Sequence, residues 1–170
     1  MDRSRYDTWS QEPSTLFCEA TRLIPAPPDK IWPLLIDLTR LNEWLPVKAE
    51  ITLPPGVTQA APGVIVNVKR QTQLGMVDLE QIFGLCDAPR MLTWRNQNER
   101  LDGKPITQVK DFAATISLVG EAGGRSRITA RATWTPVGIM GTAASALMKP
   151  RMQKEFEQAL ENIEKLMLQP

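Results

Sequence analysis

Few side chains in this sequence have the types and spacing that catalysis requires. The 170 residues include no histidine, which removes the most common general base and the most common metal ligand. The single tyrosine, Tyr6, lies near the beginning of the chain, and no carboxylate pair stands out in a strand or helix register. Gln81, Asn96 and Lys110 could face inward by alternation, although each is equally suited to a strand end in water. We therefore expect a binding site rather than a catalytic centre, with no metal and no cofactor.

Alanines that share strand faces with aromatic residues favour the hypothesis of a binding site for an apolar molecule. Ala114, Ala130 and Ala132 lie on the apolar faces of two strand-like segments. Small side chains opposite a helix either let the helix approach closely or leave a void, and small-molecule pockets are mostly apolar. A tightly filled core is the alternative explanation. The residues that we expect to line a cavity are Phe83, Trp94, Phe112, Ile116, Ala130, Trp134, Met148 and Met152.

These side chains must be positioned by a sheet, because the middle of the chain alternates with a period of two residues. About seven strands are predicted. The clearest pair covers residues 110–119 and 125–135, and the glycines at 123–124 form the hairpin turn between them. A further strand is predicted at residues 91–96, followed by a polar, turn-containing segment at 97–105.

A long amphipathic helix is predicted from about Ala143 to near the end of the chain. Apolar side chains recur at steps of three and four residues, which places them in one stripe. Pro150 interrupts the stripe and should bend the helix. Since an antiparallel sheet must bury its apolar face and one such helix can cover it, the pattern indicates an α+β chain.

Residues 23–47, with the sequence LIPAPPDKIWPLLIDLTRLNEWLPV, connect the first strand to two short helices. The prolines at 25, 27 and 28 end the strand, because proline lacks the N–H that a strand ladder needs. Proline also suits the first turn of a helix. Asp37 is placed to cap the second short helix.

This segment resembles the opening of SRPBCC-superfamily domains, which include the START-related and birch-allergen-like domains. The similarity is greatest to the polyketide cyclase/dehydrase-like and lipid-transport-like members. The resemblance implies a helix-grip fold, in which a curved antiparallel sheet surrounds the long C-terminal helix and a cavity lies between them. The residues that carry the resemblance are Ile24, Ala26, Pro27, Ile31, Trp32, Asp37, Trp44 and Pro46.

Composition and charge bound the remaining expectations. Residues 1–13 are polar and aperiodic, so we expect a flexible N-terminal tail followed by a single domain at 14–170. A formal net charge of +1 indicates no strong positive potential that would attract nucleic acid. No apolar run is long enough for membrane insertion. The beginning of the chain lacks an apolar signal region, which together with two distant cysteines predicts a cytoplasmic protein.

Three classes of function remain open at this point. The first is binding or carrying of a hydrophobic small molecule, such as a lipid, an isoprenoid or a polyketide. The second is an enzyme of the cyclase or dehydratase type, in which cavity shape and a few polar groups direct the reaction. The third is a stress-related or accessory interaction domain with an incidental cavity. The missing histidine favours the first class over the second.

Both cysteines should be reduced. Cys18 falls in the first predicted strand and Cys86 in the fourth, which are not neighbours in a helix-grip sheet. A disulfide requires Cα atoms within about 7 Å of each other. Thiol alkylation followed by mass measurement, with and without a reductant, should show two modified cysteines in both samples. A disulfide-bonded form would contradict the strand assignment as well.

Overall fold

The computed structural model describes residues 15–169, which form one antiparallel sheet with a long helix packed across it. The strands are β1 (Leu16–Ile24), β2 (Glu50–Thr52), β3 (Ile65–Thr72), β4 (Gly75–Asp87), β5 (Met91–Leu101), β6 (Lys104–Pro105), β7 (Val109–Glu121) and β8 (Arg125–Pro136). The helices are α1 (Pro28–Ile36), α2 (Leu41–Trp44) and α3 (Gly138–Leu168), with a 3₁₀ turn at Leu38–Arg40 before α2. The predicted N-terminal tail lies outside the described residues.

The strand order is β1-β8-β7-β5-β4-β3-β2, and β6 pairs with the end of β5. The α+β helix-grip fold predicted from the sequence is therefore confirmed. The sheet has eight strands within the described residues rather than about seven, because the sequence pattern does not reveal the two-residue β6.

The short helices form where the prolines and Asp37 predict them. Pro28 occupies the first turn of α1, and Pro33 lies inside the same helix. The Asp37 side chain accepts a hydrogen bond from the backbone N–H of Thr39 at 3.0 Å, which caps the 3₁₀ turn. The side chains that these helices bury against the core are Ile31, Trp32, Leu34, Leu35, Leu38, Leu41 and Trp44.

The polar segment predicted at residues 97–105 is mostly strand. β5 continues to Leu101, turns at Asp102 and Gly103, and returns as β6. The expectation of a turn at these two residues is confirmed, since both have positive φ angles, of 49° and 78°. The sequence did not predict that β5 extends to Leu101, because polar residues here occupy both faces of the strand and remove the alternation that marks a half-buried strand.

A bulge in β4 changes the side on which its last residues lie. Phe83 pairs with Trp94 and Cys86 pairs with Leu92, so β4 has one more residue than β5 between these pairs. Strict alternation would place Leu85 on the inner face beside Phe83. Instead Leu85 is 51% exposed, and Cys86 packs against the core in its place.

The first turns of α3 are held close to the sheet. The helix begins at Gly138, earlier than the predicted start near Ala143. A Cβ atom at Gly141 would lie 2.1 Å from the carbonyl oxygen of Gln108, so this position requires glycine. The indole N–H of Trp134 donates to the Ser145 hydroxyl at 3.0 Å, and both side chains are buried. These contacts fix the helix over the ends of β7 and β8.

The C-terminal half of α3 is fixed by apolar packing and two polar contacts. Ala159, Leu160 and Ile163 are buried in the main core. The Asn162 side chain donates to the backbone carbonyl of Trp44 at 3.1 Å, which connects α3 to α2. Glu164 forms an ion pair with Arg22 of β1 at 2.5 Å.

The two cysteines are both free thiols and lie on strands that are not adjacent in the sheet. Burial raises the pKa of the Cys18 thiol above its ordinary value, although a hydrogen bond from the Ala132 backbone opposes the shift. Burial also raises the pKa of the Cys86 thiol. Both thiols are therefore kept in the protonated, less reactive form at neutral pH.

Leu160→Ala should destabilise the protein by about 2–5 kcal/mol, because it removes buried methyl groups and leaves a cavity between α3 and the sheet. Leu160 is 1% exposed. Lys154→Ala, at an exposed position on the same helix, is the control and should leave the free energy of unfolding nearly unchanged. Urea unfolding of both variants and the wild type measures the difference. Equal stability of all three would show that α3 does not supply this part of the core.

Candidate functional site

The inner face of the sheet is covered by α3 on one side only. The helix packs mainly on β1 and β8 and makes fewer contacts with β7. Its interaction with β3 is an ion pair between Arg70 and Glu155, whose nearest N and O atoms lie 3.1 Å apart. The inner faces of β4 and β5 therefore lie between the packed helix and this ion pair, and they form the candidate site.

The apolar residues of the inner face divide into two clusters. Phe83, Ile116 and Ala130 belong to the main core, where each is 3–4% exposed. A second cluster contains Cys18, Ala114, Ala132 and Trp134 and lies under the first half of α3. The partly buried apolar side chains around this second cluster are Leu16, Trp94, Val109, Phe112, Met148, Met152 and Phe156.

The residues predicted to line a cavity are all turned to the interior, but their burial differs. Trp134 is fully buried, and its N–H is occupied by Ser145. Trp94, Phe112, Met148 and Met152 keep part of their surface exposed. Trp94 packs against both clusters, and its ring centroid lies 6.3 Å from that of Phe83. That these residues bind a ligand remains a prediction.

The inner surface becomes polar along β5. Trp94 pairs with Phe83, and the next inward pair is Asn96 with Gln81. A register shift follows, in which Asn98 has a positive φ of 53° and the ladder resumes at Arg100. The shift turns the Glu99 side chain toward the interior.

The partly buried environment of the Glu99 carboxyl group disfavours its charged form. Burial raises the pKa of its carboxyl group above the ordinary value, whereas the Asn96 side-chain amide and the positive charge of Arg70 oppose the shift to a smaller extent. Arg70 is itself paired with Glu155 of α3. These four side chains form a polar group, Arg70–Asn96–Glu99–Glu155, next to the partly exposed aromatic residues.

A cleft of about 260 Å³ opens where β5 and β7 separate. The ladder between these strands ends at the pair of Arg95 with Ala113, and Asp111 has a positive φ of 56° at an irregularity in β7. The cleft is lined by Arg95, Asn96, Gln97, Asp111, Phe112 and Ala113. It therefore contains one residue of the polar group and one of the predicted apolar lining.

The side-chain oxygen of Asn96 is buried without a hydrogen-bond partner in the described part of the chain. The indole N–H of Trp44 is the other buried side-chain atom in this condition within residues 15–169. Trp44 is packed in the main core beneath α3, whereas Asn96 borders the cleft. The Asn96 oxygen is thus an acceptor that a bound molecule could use.

Sequence reasoning considered Asn96 but missed Arg70, Glu99 and Glu155. Arg70 continues the inward alternation of Val66 and Val68, so the pattern of β3 contained a signal for it. Glu99 faces inward only because of the register shift in β5, and the local sequence pattern of β5 does not predict this shift. Of the two other inward candidates, Gln81 pairs with Asn96 on the inner face and is partly buried, whereas Lys110 is exposed.

Two further features were sought among residues 15–169, a metal site and a helix that could cross a membrane. This range contains no group of three acidic, cysteine or histidine side chains arranged to hold a metal ion. None of its helices combines the length and hydropathy that crossing a membrane requires.

Glu99→Gln should stabilise the protein more at neutral pH than at acidic pH. A carboxyl group whose pKa is raised on folding contributes stability below its unfolded pKa, and this contribution is lost as the pH rises through the folded pKa. The amide of Gln does not titrate, so the stability gap should open as the pH rises above the ordinary value of 4.5. Melting temperatures of both proteins between pH 4 and pH 8 measure it, and a pH-independent gap would contradict the assignment.

Comparison with known proteins agrees with this architecture. The Zhui aromatase/cyclase of Streptomyces sp. R1128 superposes with a TM-score of 0.71 at 12% identity, covering 91% of this chain and 94% of that chain. TTHA0849 of Thermus thermophilus gives 0.69 at 18% identity, covering 90% and 97%. Ara h 8.0201 gives 0.66 at 16% identity, covering 91% and 99%. At such identities the similarity establishes the fold alone. No curated protein matches the sequence.

A family model described as "Polyketide cyclase / dehydrase and lipid transport" matches residues 18–167. The match spans nearly the whole sheet and nearly all of α3, including the second cluster and the polar group. The resemblance found in residues 23–47 is therefore confirmed over most of the sequence, and the chain belongs to the polyketide cyclase/dehydrase and lipid transport family.

Proposed function

We propose that this protein binds or carries a hydrophobic small molecule, such as a lipid, an isoprenoid or a polyketide, between α3 and the inner faces of β4, β5 and β7. The observation that carries the proposal is the partial exposure of large apolar side chains that face the interior, above all Trp94, Phe112, Met152 and Phe156. The family description names both polyketide chemistry and lipid transport, which supports the same class of ligand.

Binding would be driven by removing these side chains from water. Each square ångström of apolar surface that a ligand covers contributes roughly 25 cal/mol. The second cluster also suits ligands of varied shape, because the unbranched side chains of Met148 and Met152 adapt to irregular surfaces. Ala114 and Ala132 occupy little of the volume between the sheet and α3, since neither side chain extends beyond its Cβ atom.

A cyclase or dehydratase activity is the second candidate, favoured by one observation. Glu99 combines a raised carboxyl pKa with the neighbouring amide of Asn96 and the guanidinium of Arg70. A carboxyl group of raised pKa keeps its proton to a higher pH than an ordinary carboxyl group and can transfer it to a bound molecule. Binding is common to both candidates, and loss of turnover without loss of binding in Glu99→Gln would favour the enzyme.

Ala130→Phe tests whether space for a ligand exists on the inner face. With such space, the added ring should occupy it, abolish binding of a neutral hydrophobic dye such as Nile red, and leave the melting temperature nearly unchanged. In a filled core the same substitution would overpack the interior and destabilise by roughly 1–3 kcal/mol. Ala146→Phe, at an exposed position of α3, is the matched control and should keep dye binding.

Dye titration and thermal melting separate the two cases. A wild-type protein that never binds the dye, together with an Ala130→Phe variant that melts much lower, would refute both the cavity and the proposed function.

A further inference from the structure

We propose that the polar group Arg70–Asn96–Glu99–Glu155 is a subsite for an uncharged hydroxyl group at the end of an otherwise apolar ligand. This inference rests on the proposed function and specifies the class of apolar molecule that the protein would take. The ligand would place its apolar part against Trp94 and its hydroxyl group at Asn96.

The unpartnered oxygen of Asn96 supplies the first argument. This atom is buried and accepts no hydrogen bond within the described residues, and the other side of the amide faces the Glu99 carboxyl group. A buried acceptor without a donor destabilises the protein unless water or a ligand supplies one. A hydroxyl group provides that donor, whereas an ether, a ketone or a hydrocarbon does not.

The order of residues along the strands supplies the second argument. The pair Phe83–Trp94 is followed by the pair Gln81–Asn96, and Glu99 comes next after the register shift. Along β5 the lining thus changes from aromatic to polar in one direction, whereas on β4 the inward residue after Gln81 is the buried Leu79. A molecule with one apolar end and one polar end matches this order in a single orientation.

The charges of the site supply the third argument. A carboxylate end would meet the Glu99 and Glu155 carboxyl groups together with the Asn96 oxygen. Arg70 offers little compensation, because Glu155 already holds its guanidinium at 3.1 Å. An uncharged donor avoids this repulsion, which selects an alcohol or a phenol over a fatty acid.

Displacement of Nile red by three ligands of similar length tests the subsite in the wild-type protein. The ligands are 1-dodecanol, dodecyl methyl ether and dodecanoate, which differ in donor capacity and charge at one end. Since one hydrogen bond contributes a few-fold in affinity, 1-dodecanol should displace the dye at a concentration roughly 5-fold lower than the ether. Dodecanoate should be the weakest of the three.

Two variants assign the preference to residues. Asn96→Leu replaces the acceptor by an apolar side chain of similar size, so it should bind alcohol and ether equally. Glu99→Gln removes a negative charge and keeps the shape, so it should improve dodecanoate binding several-fold. Asn67→Leu, exposed on the outer face of β3, is the control and should behave as the wild type.

The outcomes distinguish the subsite from the proposed function. If the wild-type protein binds neither Nile red nor any of the ligands, the proposed function fails and the subsite with it. If it binds the dye but shows no preference for the alcohol, the subsite is wrong and the proposed function stands. If a folded Asn96→Leu variant, verified by its melting temperature, keeps the alcohol preference, the hydroxyl group binds elsewhere. The wild-type comparison remains decisive even when a variant does not fold.

Discussion

The packing of α3 against the concave face of the sheet is the interaction on which the rest of the structure depends. Two different kinds of contact hold it. At the beginning of the helix, Gly141 allows the backbone to approach Gln108, and Ser145 accepts the buried indole N–H of Trp134. Toward the end, Leu160 and Ile163 fill the main core. The helix axis is thus fixed at both ends, and the space beside the helix is fixed with it.

That space is asymmetric because the helix lies over β1 and β8 rather than over the middle of the sheet. On the far side, α3 reaches β3 through Arg70 and Glu155, whose side chains are both 35% exposed. An ion pair of this kind contributes little to stability. It does bring a charged boundary close to the partly exposed aromatic residues, so an apolar surface and a polar surface meet within one concave region.

Irregularities in the strands set the character of this region. The bulge in β4 turns Leu85 outward and Cys86 inward. The register shift in β5 turns Glu99 inward, and the separation of β5 from β7 opens the cleft beside Asn96 and Phe112. Bulges commonly reorient side chains next to binding sites, and a one-residue insertion is sufficient because strand side chains alternate in direction. The polar group therefore includes Glu99 because the ladder between β4 and β5 is irregular at this point.

The sequence alone determined the class of the fold. Alternation in the strands, the apolar stripe of the C-terminal helix and the prolines of residues 23–47 depend on local chemistry, so they were visible without coordinates. They also placed Trp94, Phe112 and Met152 on inward faces.

Only the tertiary structure decided which of these side chains are fully buried and which keep exposed surface, because burial depends on where α3 crosses the sheet. It also decided the polar group: Glu99 is inward only through a register shift, and Arg70 meets Glu155 across 85 residues of chain. A local pattern does not report contacts between distant segments. The sequence therefore predicted the inward positions of the apolar residues and of Asn96, but not the inward position of Glu99 or the ion pair of Arg70 with Glu155.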